Sequence, residues 1–224
     1  MKRKIPCFCD NAFSVDVPDE IDLDRRPEYI AEIMDGTFMN FTCPSCGKKH
    51  KPEFPVTVNW PGRTLRMEAL PELERGEFYR RKKKAKKSEP KNGETPPLET
   101  VIGYPELADR IAVVRDGLEP AAVEALKYYL LLKAEENLDD DEKEPGVWYQ
   151  GKTGGSGNSP DAGFLEFHIH GLREEEVAVT RIPMAIYEKT LDDYRKHPKS
   201  EMFAILRSGT YLSVQNALRP DILK

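Results

Sequence analysis

The sequence predicts an α+β chain, with a β-rich N-terminal domain carrying a short inserted helix, followed by an α+β C-terminal domain. Three observations carry this reading. Apolar residues alternate with polar ones at Phe13, Val15 and Val17, at Phe54, Val56 and Val58, and at Leu65, Met67 and Ala69, which is the period of half-buried strands. Between Pro120 and Glu136 the apolar residues Val123, Leu126, Leu130 and Ala134 instead recur at helical spacing. The four cysteines of the 224-residue chain fall in two close pairs, Cys7-Phe8-Cys9 and Cys43-Pro44-Ser45-Cys46, which makes the first domain zinc-ribbon-like.

The N-terminal domain is expected over residues 1–75. Its inserted helix runs from Pro27 to Asp35. Proline suits the first turn, Tyr29, Ile30, Ile33 and Met34 form one apolar stripe, and Gly36 suits a left-handed stop. Phe38–Thr42 leads as a strand into the second cysteine pair, and Asn59-Trp60-Pro61-Gly62 turns between two later strands. Residues 76–98 read as a basic and polar linker. Seven of the eight residues Arg80–Lys87 are basic, and the following polar stretch bears prolines.

The C-terminal domain is expected over 99–224. After the helix from Pro120 come an acidic tract, Asp139–Glu144, and a glycine-rich loop, Gly151–Gly163. Leu165, Phe167 and Ile169 then alternate as a strand, Pro183–Tyr194 reads as a helix, and Phe203–Arg207 with Thr210–Val214 reads as a hairpin through Ser208-Gly209.

Composition bounds the function classes. About 39% hydrophobic residues suffice for a core, and 33% charged residues imply a very soluble surface. The net charge of −5 argues against a molecule built to coat nucleic acid. No apolar run approaches the roughly 20 residues of a membrane span. Met1-Lys2-Arg3-Lys4 is followed by Ile5-Pro6-Cys7 where a secretion signal would need an apolar stretch, so a cytoplasmic protein is expected. Thiols stay reduced there, which favours a metal over disulfides.

Zinc takes four thiolate or imidazole ligands in a tetrahedron. Cys43-Pro44-Ser45-Cys46-Gly47 suits it, because proline fixes the turn and glycine permits the positive φ of the exit. Cys7 and Cys9 have one spacer and no glycine after them, leaving Asp10 or Asn11 to take the left-handed position. The leading expectation is one structural Zn²⁺ held by Cys7, Cys9, Cys43 and Cys46. His50 as the fourth ligand in place of Cys7 or Cys9, and a redox pair at Cys43 and Cys46, are the alternatives. Gly47-Lys48-Lys49-His50-Lys51-Pro52 is a poor helix, which weighs against a redox pair of the kind seated at a helix N-terminus.

Cys43-Pro44-Ser45-Cys46-Gly47, the preceding Met34-Asp35-Gly36-Thr37-Phe38 and the first cysteine pair resemble the CpXC domain family of prokaryotic proteins. The resemblance extends into Tyr104-Pro105-Glu106-Leu107 and Gly117-Leu118 through Leu126-Lys127, a helix that such proteins often carry downstream. It implies a cysteine-based, zinc-binding, β-rich domain, and it implies a fold and not an activity. The chain departs from the usual family pattern at Cys7-Phe8-Cys9, where two spacers are common.

Other motifs lack the context their chemistry needs. Gly146–Thr153 satisfies the phosphate-loop spacing, but Gly154-Gly155-Ser156-Gly157 follows where a helix must start, so a surface loop is the better reading. His168 and His170 share one strand face with Glu166, as a second metal site would need and as any polar strand face also shows. The run Arg80–Lys87 is open to three readings: a solvated linker, electrostatic docking on acidic residues, or phosphate contact. No set of acid, base and nucleophile stands out. The sequence therefore predicts a non-catalytic zinc-binding protein whose partner is another protein. A nucleic-acid-binding zinc ribbon using residues 80–87 and a thiol redox protein using Cys43 and Cys46 are the competing functions. The sequence fixes neither the partner nor the oligomeric state.

Overall fold

The computed structural model describes residues 1–84, 96–135, 145–154, 163–173 and 176–218. The acidic tract Asp139–Glu144, the end of the basic run and most of the glycine-rich loop lie outside the described residues. The chain is mixed α+β and divides into two compact units, Met1–Ala108 and Asp109–Lys224. The division falls within one helix, so the strand at Leu98 and the start of that helix, expected with the C-terminal domain, belong to the first unit.

The first unit begins with an antiparallel hairpin, β1 (Lys2–Pro6) and β2 (Ala12–Asp16), whose turn holds the first cysteine pair. β3 (Glu20–Asp22) follows, then α1 (Glu28–Met34). Pro27 stands at the N-terminus of α1, and Gly36 ends it with φ +72°, the left-handed conformation that glycine adopts without steric cost. Met39, at φ +56°, keeps the next segment from running straight, and the expected strand Phe38–Thr42 contracts to β4 (Phe41–Thr42). β4 pairs with β5 (Lys49–His50), and the turn of this second hairpin holds Cys43 and Cys46.

β6 (Val56–Trp60) and β7 (Leu65–Leu70) form the predicted pair, with residues alternately buried. β3 lies parallel to β6 on one side, and β8 (Leu98–Ile102) lies parallel to β7 on the other. The core includes Val58, Met67, Ala69 and Ile102 from these strands.

Part of the expected linker is helical. α2 (Arg75–Lys84) carries the start of the basic run, and its Tyr79 is buried. Arg75 is buried as well, within 2.5 Å of Glu72 and 2.9 Å of Glu106, and it donates to the Ile102 carbonyl at 2.9 Å. A buried guanidinium needs such a full set of acceptors.

The segment after the second cysteine hairpin is also tied down. Glu53 accepts from the N–H groups of Tyr104 and Glu72 at 2.8 and 2.6 Å. The Tyr104 hydroxyl accepts from Phe54 N–H at 2.9 Å and donates to its carbonyl at 3.0 Å. These bonds fix the exit of β5 against the start of α3 (Tyr104–Arg115).

In the second unit α4 (Pro120–Glu135) buries Val123, Leu126, Leu130 and Ala134, the predicted face. A three-stranded antiparallel sheet has the order β11-β10-β9. Its strands are β9 (Gly146–Thr153), β10 (Phe164–Arg173) and β11 (Glu176–Pro183). Leu165, Phe167 and Ile169 of β10 point into the core. α5 (Met184–Lys196) follows.

Phe203–Arg207, expected as a strand, is mostly helical. α6 (Glu201–Ile205) buries Phe203, and the hairpin shrinks to β12 (Arg207–Ser208) and β13 (Tyr211–Leu212) before α7 (Gln215–Leu218). Ser200 opens that turn, its carbonyl accepting from Phe203 and Ala204 N–H at 3.1 and 2.9 Å.

A candidate metal centre

The two cysteine hairpins present their turns to each other. In the first, Cys7 N–H donates to Asn11 O at 2.8 Å, and Asp10 takes φ +60°, so the left-handed position is filled by the aspartate. In the second, Cys43 N–H donates to Lys48 O and Gly47 N–H to Cys43 O, both at 2.9 Å, with Gly47 at φ +73°. The Asn11 side-chain amide donates to the Ser45 hydroxyl and links the two turns.

The four thiols converge. All four Sγ atoms lie within 4.8 Å of one another. Cys7 Sγ stands 3.5 Å from Cys46 Sγ, and Cys9 Sγ 3.8 Å from Cys43 Sγ. A disulfide needs about 2.05 Å, and all four thiols are free. Four sulfurs about 2.3 Å from one ion at tetrahedral angles stand about 3.8 Å apart, so the cluster has the spacing of a tetrahedral ligand shell. Each hairpin contributes one buried thiol, Cys7 or Cys43, and one exposed thiol, Cys9 or Cys46.

The thiols differ electrostatically. At Cys43 burial opposes ionisation, but the N–H groups of Cys46 and Ser45, with the Cys7 and Cys46 thiols, outweigh it and bring the thiol down to about 7. At Cys7 the N–H of Cys9 favours the thiolate, but burial and the other three thiols push it up to about 12. Crowded sulfurs cannot all ionise unaided, and a bound cation removes that penalty because a coordinating thiol is deprotonated outright.

The convergent cluster is made of thiols alone, without an imidazole. His50 Nε2 instead lies 3.2 Å from Cys7 Sγ. Its ring stacks on Phe8 at 6.1 Å and meets Phe13 edge-on at 5.7 Å. Phe8 itself is 88% exposed, with Lys48 Nζ 5.8 Å from its ring centre.

The chain belongs to the CpXC family. The family model, described as CpXC protein, matches residues 5–127 and so takes in all four cysteines. An uncharacterized protein of Treponema pallidum (strain Nichols) is similar at 31% identity, with 95% of this chain and 97% of the relative aligned. No solved structure matches the chain.

The other candidate sites lack convergence. Among the described residues, the four cysteines are the one group of three or more potential ligands brought together. Glu166 is engaged by Arg181 at 2.9 Å, with His168 Nε2 at 3.6 Å. Gly146–Thr153 is strand β9, antiparallel to β10, so the phosphate-loop spacing falls on extended chain. In the basic run, Arg80 pairs with Glu77 at 2.7 Å.

One cluster had no signal beyond the i,i+3 spacing of two charges on a helix. Lys127, 3% exposed, sits between the carboxylates of Asp109 and Glu124, the latter at 2.7 Å. The remaining oxygens accept from the N–H groups of Tyr149 and Val214, each at 2.7 Å. Both carboxylates are thereby satisfied, and the cluster ties α3, α4, β9 and the start of α7 together within the second unit.

Proposed function

We propose that this chain is a non-catalytic zinc-binding protein, a protein-interaction module whose first unit is closed by a structural Zn²⁺ on Cys7, Cys9, Cys43 and Cys46. The observation that carries the reading is the mutual approach of four thiols within 4.8 Å, with pairs at 3.5 and 3.8 Å. Soft thiolates select zinc among the abundant divalent ions, and four of them fill its shell and leave no position for a reactive water. The hairpins that bear them are short, and β4 and β5 have two residues each. Such elements gain their stability from the metal that joins them. The first unit then resembles a zinc ribbon: two cysteine-bearing turns over a small β-structure.

The module works in a reducing compartment, the cytoplasm, where free thiols persist. Among the described residues no helix is long and apolar enough to cross a membrane. The partner is another protein, met on surfaces that the zinc holds in shape.

Elemental analysis of the purified chain tests the site: one zinc per chain supports it, and none overturns it. Capture of partners from native extract, with and without a chelator, tests the module. Loss of a specific partner on chelation supports it, and an unchanged set of partners overturns the link between metal and interaction.

A further inference from the structure

His50 belongs to the second cysteine hairpin, opposite Phe41, yet its side chain reaches the first. Its Nε2 lies 3.2 Å from Cys7 Sγ, and its ring is flanked by Phe8 and Phe13, both from the other hairpin. Phe13 meets the ring edge-on at 5.7 Å and the exposed Phe8 lies against it at 6.1 Å, contacts that favour this direction of Nε2. The imidazole is not one of the four mutually close ligand groups. A thiolate carries no proton and can only accept, so a contact between His50 and a metal-bound Cys7 requires the proton on Nε2.

We infer that His50 is an outer-shell positioning residue of the metal centre: its Nε2–H donates to the Cys7 sulfur and holds that thiolate in the ligand shell. This rests on the zinc reading and adds to it a residue that does not touch the ion. Four thiolates on one Zn²⁺ leave two excess negative charges. Backbone N–H groups relieve them at Cys43, from Ser45 and Cys46, and at Cys7, from Cys9. His50 adds a side-chain donor at Cys7, and through it a contact that joins the two hairpins independently of the ion. Such outer-shell donors typically change metal affinity by about 10- to 100-fold.

The test uses the full chain in three forms: wild type, His50→Phe and His50→Gln. Phenylalanine keeps the ring contacts and removes the donor, whereas glutamine keeps an N–H and removes the ring. Zinc affinity is read by competition with a chromophoric chelator, and the sulfur-to-metal charge-transfer band is read after Co²⁺ substitution. His50→Phe is expected to keep one metal per chain at saturation, to bind zinc about 10-fold more weakly, and to move the band to lower energy as the undonated thiolate becomes richer in electrons. His50→Gln is expected to recover part of both changes.

Wild-type affinity and band position in His50→Phe overturn the inference alone. So does equal weakening in both variants with no band shift, which marks a packing role. A cobalt spectrum that loses a ligand in both variants makes His50 a direct ligand and also overturns it. A wild-type chain that takes up no metal overturns the zinc reading and this inference with it.

Discussion

Cys7 and Cys46 lie 39 positions apart in the chain and bring their sulfurs within 3.5 Å. One is buried and the other exposed, and each comes from a different hairpin. Replacing either removes a sulfur that both hairpins share. Cys46→Ser, chosen because its side chain is at the surface, is expected to bind less than one zinc per chain and to open residues 1–50 to protease. Full zinc content with unchanged protection would remove Cys46 from the ligand set.

Metal removal should act on one unit. The chain has two tryptophans, Trp60 in the first unit and Trp148 in the second, so single Trp→Phe backgrounds report each separately. A chelator is expected to lower the unfolding midpoint read by Trp60 and to leave that read by Trp148 in place, because metal binding and local folding are coupled. Equal shifts at both would show that the ion does not act through the first unit.

The strands β6 and β7 were legible because each buries one face, and alternation reports that directly. Helix α1 was legible from its ends, Pro27 and Gly36, and α4 from its apolar face. Phe203–Arg207 was misread because a short apolar segment has too few residues to separate periods of 2 and 3.6, and Ser200, which starts the helix, lies outside it. Helix α2 was hidden by its charge: Arg75 and Tyr79 are its buried anchors, and the residues between and after them read as linker. At the site, the Cys-x-x-Cys turn could be read from residue types, which also narrowed the left-handed position of the first turn to Asp10 or Asn11; the structure places it at Asp10. The contact of His50 with Cys7 could not, since 43 positions separate them and only the facing of two hairpins brings them together.

The buried cluster of Asp109, Glu124 and Lys127 sets a strong expectation for stability. Lys127→Met fits the space but leaves two carboxylates buried without their cation. Its cost is expected at about 3–5 kcal/mol, read as denaturant midpoint through Trp148 in a Trp60→Phe background. A loss below about 1 kcal/mol would mean that water reaches the carboxylates.

Tyr149 donates its hydroxyl to Asp116 at 2.7 Å, and Arg115 lies 2.9 Å from the same carboxylate. Burial works against the charge of Asp116, but these two partners outweigh it and hold the carboxyl below its ordinary value. A carboxyl with a depressed folded pKa stabilises above its unfolded value of about 3.9, and that contribution is lost as pH falls through the folded value. Tyr149→Phe is expected to cost about 1–2 kcal/mol at pH 7, with the gap to wild type narrowing below about pH 4. Phenylalanine keeps the ring contact with Phe167 at 5.7 Å, so a gap that stays constant into acid would show that the hydroxyl stabilises the fold independently of the Asp116 charge.

The two cysteine turns solve one backbone problem with different residues. Gly47 sits at φ +73° and Asp10 at φ +60°. A Cβ at Gly47 would meet nothing within 4 Å, so Gly47→Ala tests the backbone term alone. An L-residue in the left-handed region costs about 1–2 kcal/mol. On the zinc reading proposed above, this turn folds with the metal, so that cost should emerge as zinc binding weakened by about 5- to 30-fold. At Asp10 the strain is already present, softened by the tolerance of aspartate for this region. Asp10→Gly should therefore bind zinc at least as tightly as wild type, while Asp10→Val should bind more weakly than Gly47→Ala, since β-branching makes a positive φ harder to reach. Zinc affinities that are equal across all three variants would show that neither turn must adopt its left-handed residue to hold the ion.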